Sequence, residues 1–280
     1  VRGMVIAFVL TIAGHGFTAW LFSILSVDFK HIYWLWLSSW ALLGWFLFSK
    51  RHAVPSFLSS IRPDGQGWAM LLLTVVLALI MALQGGLLDM MADGWWHMAY
   101  ANRMRIENMP FVSVHPLVGE SFGRPTILYP PLWHINLALI SDGTGMALPQ
   151  IWHAIAAPIT IFTMSAFYLL CSRLTKCRTT ILLAMLLFTL LIGGLNSYWR
   201  GTPWPANVAY VVLYFLISET LLFADRLQAG HPDPALRDLF ELGHLTSIAF
   251  LVFLGLILLG LHGVEVMLFL FALLAYFTST

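Results

Sequence analysis

Long apolar runs divide this chain, and they decide what it can fold into. They cover residues 4–27, 32–49, 67–88, 149–171, 179–196, 207–224, 243–261 and 264–278. A helix needs roughly 20 apolar residues to cross the hydrocarbon core of a bilayer. A backbone inside lipid must also satisfy its own hydrogen bonds, which a helix does locally. The sequence therefore predicts an all-α integral membrane protein with about eight transmembrane helices.

The composition agrees with a membrane protein and excludes one class of partner. Hydrophobic residues make up 60% of the chain and charged residues only 10%, whereas soluble domains carry about 25% charged residues. The formal net charge is +1, so no basic face is available for nucleic acid, and we expect no such partner. Residues 1–280 show no internal repeat and no linker, which predicts a single polytopic membrane domain. Because little follows the last apolar run, we expect this domain to be the N-terminal part of a longer chain.

Loop charges predict how the chain crosses the membrane. Lysine and arginine accumulate in cytoplasmic loops, which assigns the basic loops 50–66 and 172–178 to the cytoplasm. Segment 127–141 has a Pro-Pro near its start and is too short to span, so we expect a short helix lying along the outer surface. Residues 89–148 then form one large extracytoplasmic loop with short interfacial helices, on the same side as His262. We expect a bacterial inner (plasma) membrane protein with this loop on the outer face.

A few polar residues lie inside or between the apolar runs. The last two runs are separated only by His262 and Gly263, which predicts a tight helical hairpin. Glu219 lies within a run and is predicted to make a structural hydrogen bond near the cytoplasmic end of its helix. His15 and His153 are interpreted as histidines that hydrogen-bond to neighbouring helices rather than as haem ligands.

The most polar stretch of the chain follows the third apolar run directly. Asp89, Asp93 and His97 are spaced four residues apart, so a helix places them in one row, which Tyr100 and Met104 extend. Two carboxylates and an imidazole in a row suit a divalent cation such as Mg²⁺ or Mn²⁺, with Asp89, Asp93 and His97 as its ligands, or a proton-accepting base. The alternative is that they are polar residues of the membrane–water boundary, where tryptophan and tyrosine also accumulate.

The order of motifs over residues 88–170 resembles the GT-C superfamily of membrane glycosyltransferases. Asp93 is followed by "HMAYANRMRIEN", then by "YPPLWHINLAL" at Tyr129–Leu139, then by an apolar run from Pro149. The branch that is most similar holds the protein O-mannosyltransferases and the aminoarabinose transferases of lipid A. There an acidic residue opens the first large external loop, a helix with tyrosine, small residues and arginine follows, and a Pro-Pro-Leu segment precedes the next span.

The resemblance implies transfer of a sugar from a polyprenyl-phosphate carrier to an acceptor on the outer face. Asp93 would be the catalytic carboxylate that takes the proton of the acceptor hydroxyl. The lipid-linked donor and membrane lipid would be the partners, and an arginine fork would suit the departing phosphate. The substrate-binding residues that we expect on this basis are His97, Arg103, Arg124, Tyr129, Arg200 and His262.

Two departures from the family pattern leave other functions open. Many relatives carry a second acid directly beyond the first, but here Gly94 follows Asp93, which leaves the metal requirement open. Two apolar runs, rather than one, precede the run that leads to Asp93. The alternative functions are a non-catalytic structural subunit of a larger membrane complex and a transporter. A copper or zinc site at Asp93, His97, His115 and His134 is a further alternative.

Overall fold

A computed structural model describes residues 1–49, 68, 71–76, 79, 92–110, 131–189, 204–230 and 242–279. The regular secondary structure in these ranges is entirely helical, which confirms the all-α class. In chain order, the helices are α1 (Arg2–Ile24), α2 (Ile32–Ser49), α3 (Ala92–Glu107), α4 (Leu132–Thr144), α5 (Leu148–Leu174), α6 (Arg178–Leu187), α7 (Pro205–Gly230), α8 (Leu242–Leu261) and α9 (Gly263–Ser279). A single 3₁₀ turn, Phe29–His31, precedes α2.

Five helical segments in the described ranges are long and apolar enough to cross a membrane. They are Arg2–Ile24, Phe29–Ser49, Leu148–Leu174, Pro205–Leu227 and His244–Leu261. Helices α6 and α9 contain shorter apolar stretches, and most of the run 67–88 lies outside the described residues. The integral membrane class is therefore supported, whereas the number of eight spans stays a prediction.

The side chains of α2 show which surface faces the lipid. Trp34, Trp40 and Trp45 are 60%, 70% and 71% exposed, and leucine and phenylalanine side chains around them are exposed as well. A helix that is apolar on every face and exposed over most of its length suits a hydrocarbon environment. We therefore place α2 at the lipid boundary of the bundle.

The core of the bundle is formed by α5 and α7, with α1 and α8 packed against them. Trp152 on α5, Phe215 on α7 and Leu258 on α8 are all at most 2% exposed. The rings of Phe8 and Phe162 stack with centroids 4.3 Å apart, which joins α1 to the middle of α5. These contacts fix the framework on which the polar residues are placed.

The short helix α4 lies inside the bundle, which corrects the prediction of a helix along the outer surface. It contacts α1, α3, α5 and α8. Its length agrees with the prediction, but side chains on nearly all of its faces are buried against other helices, including the polar His134 and Asn136. The buried residues of α4 are Trp133, His134, Ile135, Asn136, Leu137, Ala138, Leu139 and Ser141.

A hydrogen-bond network holds α4 against α1 and α2. The indole Nε1–H of Trp36 donates to Nε2 of His15 at 3.0 Å. An indole only donates, so the imidazole proton is on Nδ1, which donates to Oδ1 of Asn136 at 2.8 Å. Nδ2 of Asn136 donates to the carbonyl oxygens of Leu132 at 2.8 Å and Ile12 at 3.3 Å. His15 therefore hydrogen-bonds between helices, as its sequence position predicted.

The C-terminal helices form the predicted hairpin. Helix α8 ends at Leu261 and α9 begins at Gly263, so His262 alone connects them. Both helices pack on α7. The turn places His262 at the end of the bundle where α4 begins, because a Cβ on Gly260 would lie 3.5 Å from Cβ of Leu132.

Close packing around Gly143 gives a test of the buried position of α4. A Cβ at this residue would lie 2.5 Å from Cζ3 of Trp36 and 2.7 Å from Cγ2 of Ile32. Overpacking of this kind costs about 1–3 kcal/mol. We expect Gly143→Ala to lower the unfolding midpoint of the detergent-purified protein, measured by tryptophan fluorescence.

The matched control is Gly255→Ala on α8, where no atom lies within 4 Å of the added Cβ. Alanine favours a helix over glycine by up to about 1 kcal/mol, so this variant should be as stable as the original protein or slightly more so. Equal stability of the two variants would contradict the packing of α4 against α2.

Candidate functional site

Helix α3 carries the polar row that the sequence singled out. Asp93 is its second residue and His97 lies one turn later, so both belong to the same face. His97, Tyr100 and Met104 on this face are buried, at 6%, 6% and 0% exposure. The side chain of Asp93 lies outside the described part of the chain. The described part of the row, His97, Tyr100 and Met104, thus lies on a face of α3 that is buried in the bundle.

His97 meets a second histidine that comes from α4. Nδ1 of His97 lies 2.9 Å from Nε2 of His134, and both side chains are buried. One of these nitrogens donates the shared hydrogen and the other accepts it, so at most one ring of the pair is protonated. Burial of α4 is what brings His134 to this position, since the two residues are 37 positions apart in the chain.

Aromatic rings enclose the histidine pair. Trp96 stacks on Tyr100 with centroids 5.3 Å apart, and Tyr100 meets the ring of His134 edge-on at 4.7 Å. Trp152 of α5 lies nearly parallel to the His97 ring at 6.3 Å. These rings exclude water from the imidazoles and lower the local dielectric constant around them.

This environment keeps His97 neutral. Burial and, to a smaller extent, the electrostatic effect of nearby His262 together lower the pKa of His97 to about 4. Burial also raises the pKa of the Tyr100 hydroxyl. At neutral pH the imidazole of His97 therefore acts as a hydrogen-bonding group without charge.

His262 forms a pair with an acid that sequence reasoning did not single out. Nδ1 of His262 is hydrogen-bonded to Oε2 of Glu265, which is 2% exposed. A carboxylate only accepts, so Nδ1 carries a proton and the carboxylate fixes the orientation of the ring. The signal available in the sequence was the three-residue spacing at the start of α9.

A groove runs along the opposite face of α3. It has a volume of about 520 Å³ and lies between α3 and the start of α5, with Trp95, Met98 and Met146 among its walls. Arg105 lies at this groove, where its Nη2–H donates to Oδ1 of Asn102 at 2.9 Å and Nε is 3.7 Å from Oδ1 of Asp142. Burial raises the pKa of Asp142, and the charge of Arg105 partly offsets this effect. The groove combines an apolar wall with a guanidinium group.

The remaining predicted site residues fall into two groups. Arg103 is described, and its Nε lies 2.7 Å from Oε1 of Glu107, so its charge is balanced within α3. Asp89, Arg124, Tyr129 and Arg200 lie outside the described residues, as does His115. The structure thus brings together His97 and His262 with His134 and Glu265, and it places Arg103 in an ion pair.

The described residues test the predicted metal site only in part. Within the described ranges, no three histidine, cysteine, aspartate or glutamate residues lie close enough together to hold a metal ion. Nδ1 of His97 is engaged with His134, so this nitrogen does not serve a metal. The predicted ligands Asp89 and Asp93 have no described side chains, and a Mg²⁺ or Mn²⁺ ion held with His97 stays a prediction.

Comparison of the chain with protein-family models, with curated proteins and with solved structures finds no match.

The low pKa of His97 predicts how stability depends on pH. In the unfolded chain this imidazole binds a proton near pH 6.5, but in the folded protein only near pH 4. The unfolded state therefore binds more protons between these values, and stability is lost as the pH falls from 6.5 towards 4. We expect His97 to contribute at most about 3 kcal/mol to this loss.

The measurement is the unfolding midpoint of the detergent-purified protein at pH values from 7 to 4.5. His97→Gln should flatten the profile, whereas His31→Gln, at an exposed position, should leave it unchanged. Profiles of equal slope in His97→Gln and the original protein would show that His97 is not the group responsible.

Proposed function

We propose that this chain is a membrane glycosyltransferase of the GT-C type. It would move a sugar from a polyprenyl-phosphate carrier to an acceptor hydroxyl on the extracytoplasmic face of a bacterial plasma membrane. The observation that supports this most is the position of Asp93, one turn before the buried His97–His134 pair on the same face of α3.

The chemistry assigns a role to each part of the site. Attack on the sugar carbon needs a base for the acceptor hydroxyl, and Asp93 would take this proton. His97, which burial keeps neutral, would hydrogen-bond to a sugar hydroxyl, and the fully buried His134 would hold the His97 ring in position. His262, oriented by Glu265, would contact the substrate from the α8–α9 turn. Tyr129 would add a further substrate contact.

The donor phosphate requires positive charge as it departs. Arg105 borders the groove beside α3 and is a further candidate for this role. Arg124 and Arg200 complete the proposed set, with Arg103 after release from Glu107. The apolar wall of the groove would suit the polyprenyl chain.

The proposed orientation of the protein in the membrane rests on the positive charge of its loops. Along α5, Trp152 lies beside His97 and Phe162 beside Phe8, so the helix runs from the histidine site towards Arg173. The basic loop 172–178 is thus at the opposite end of the bundle from the histidines. The positive-inside rule places this loop in the cytoplasm and the histidine site on the outer side.

Substitution of Asp93 tests the proposed function. We expect Asp93→Asn to reduce glycosyl transfer at least about 100-fold, because general-base catalysis contributes about 10²–10⁴-fold. Transfer is measured in membranes from a radiolabelled polyprenyl-phosphate sugar pool at equal protein level. Asp28→Asn is the matched control, since Asp28 is an exposed acid paired with Lys30 in the loop that meets the end of α3.

Asp28→Asn should transfer at the original rate. Equal transfer by Asp93→Asn and the original protein would exclude a catalytic role for Asp93. Absence of transfer from every protein, with the unfolding midpoint intact, would favour a structural subunit of a larger membrane complex or a transporter.

A further inference from the structure

A second group of charged residues lies at the other end of the bundle. Nε and Nη2 of Arg2 donate to Oε1 and Oε2 of Glu219 at 2.8 and 2.6 Å. The Glu219 side chain is only 7% exposed. The structural hydrogen bond predicted for Glu219 is confirmed, and its partner is on α1. This two-point contact joins α1 to α7.

The ion pair forms one wall of a cavity between α1, α7 and α8. The cavity has a volume of about 140 Å³, and its polar lining consists of Arg2, Glu219, Arg226, Thr246 and Ser247. Each of the three helices contains a candidate membrane span. A volume of this size holds a few water molecules or one small polar group.

The charges around the cavity favour an anion. Glu219 balances the charge of Arg2, whereas Arg226 has no ion-pair partner among the residues that the structure describes. The polar lining therefore carries a net charge of +1, with two hydroxyl groups beside it. A guanidinium group and hydroxyl donors together suit phosphate oxygens.

The cavity lies at the basic end of the bundle. Tyr214 of α7 packs on Phe167 of α5 with centroids 5.4 Å apart, and both helices continue from there towards Glu219 and Arg173. Glu219 and Arg226 are thus at the end that carries the loop 172–178, away from the histidine site. Basic pockets between transmembrane helices on the cytoplasmic side bind the headgroups of anionic lipids.

We propose that this cavity binds the phosphate group of an anionic phospholipid. The phosphate would lie between Arg226 and the hydroxyl groups of Thr246 and Ser247, while the acyl chains remain in the adjoining leaflet. The carboxylate of Glu219 would keep Arg2 in position, and its negative charge would repel a second anion. The proposed lipid site does not depend on sugar transfer. A bound phosphate would link α1, α7 and α8 at the end of the bundle that is remote from the proposed active site.

Ligand-induced stabilisation tests the proposal. The purified full chain in detergent is titrated with dioctanoyl phosphatidylglycerol, and its unfolding midpoint is recorded. Parallel titrations use the zwitterionic dioctanoyl phosphatidylcholine and inorganic phosphate. We expect saturable stabilisation by phosphatidylglycerol and a weaker effect of phosphatidylcholine, because a ligand that binds only the folded state raises its stability.

Variants assign the effect to the cavity. Arg226→Gln should weaken the apparent affinity for phosphatidylglycerol at least about fivefold, and Arg226→Lys, which keeps the charge, should retain much of it. Lys176→Gln is the matched control, since Lys176 is an exposed basic residue at the same end of the bundle. This variant should bind phosphatidylglycerol as the original protein does.

Three results would overturn the proposal. Equal stabilisation by the two lipids would show that the site does not distinguish an anionic headgroup from a zwitterionic one. Equal weakening by Arg226→Gln and Lys176→Gln would indicate a diffuse electrostatic effect rather than a site. Saturation by inorganic phosphate without any response to phosphatidylglycerol would identify free phosphate, rather than lipid, as the ligand.

Discussion

The burial of α4 is the constraint on which the rest of this structure depends. Lipid tails are as apolar as leucine, so helices in a membrane associate through close packing and hydrogen bonds rather than through the hydrophobic effect. Gly143 allows Trp36 to approach α4 closely, and Asn136 bonds to both His15 and the Ile12 carbonyl. Each such hydrogen bond contributes about 0.6 kcal/mol on average in a membrane protein, and several act together here.

The buried position of α4 also determines the surroundings of the His97–His134 pair. It brings His134 against His97 and seals the pair among Tyr100 and Trp152. An imidazole in such surroundings stays neutral at pH 7, which suits hydrogen bonding to hydroxyl groups better than binding of a phosphate. Arg105 lies at the neighbouring groove, where its Nε is 3.7 Å from Oδ1 of Asp142. The neutral imidazole of His97 and the guanidinium group of Arg105 therefore lie on opposite faces of α3.

Local patterns in the sequence were sufficient for the features that depend on one segment. The lengths of the apolar runs predicted the five described helices that are long and apolar enough to cross a membrane, and the short gap between the last two runs predicted the α8–α9 hairpin. Spacings of three and four residues placed His97, Tyr100 and Met104 on one face of α3, and these side chains are buried.

Contacts between distant segments could not be predicted in this way. The apolar run in α4 has the length of a surface helix, and only its packing partners show that it is internal. The sequence names His134 only as an alternative metal ligand, because its hydrogen bond to His97 joins residues that are 37 positions apart. The same holds for Glu219, whose partner Arg2 is 217 positions away. Hydrophobic periodicity in a sequence shows which face of a helix is apolar, but it does not show which other helix packs on that face.

The most direct test of this account is a disulfide between α4 and the end of α8. Leu132→Cys and Gly260→Cys are combined after Cys171→Ala and Cys177→Ser. A Cβ on Gly260 would lie 3.5 Å from Cβ of Leu132, and disulfides have a Cβ separation of about 3.5–4.5 Å. Mild oxidation of membranes, followed by a polymer-linked maleimide, reports the free thiols. The account predicts a chain that takes up no tag after oxidation and two tags after reduction. Two tags under both conditions would contradict the internal position of α4 and the site that depends on it.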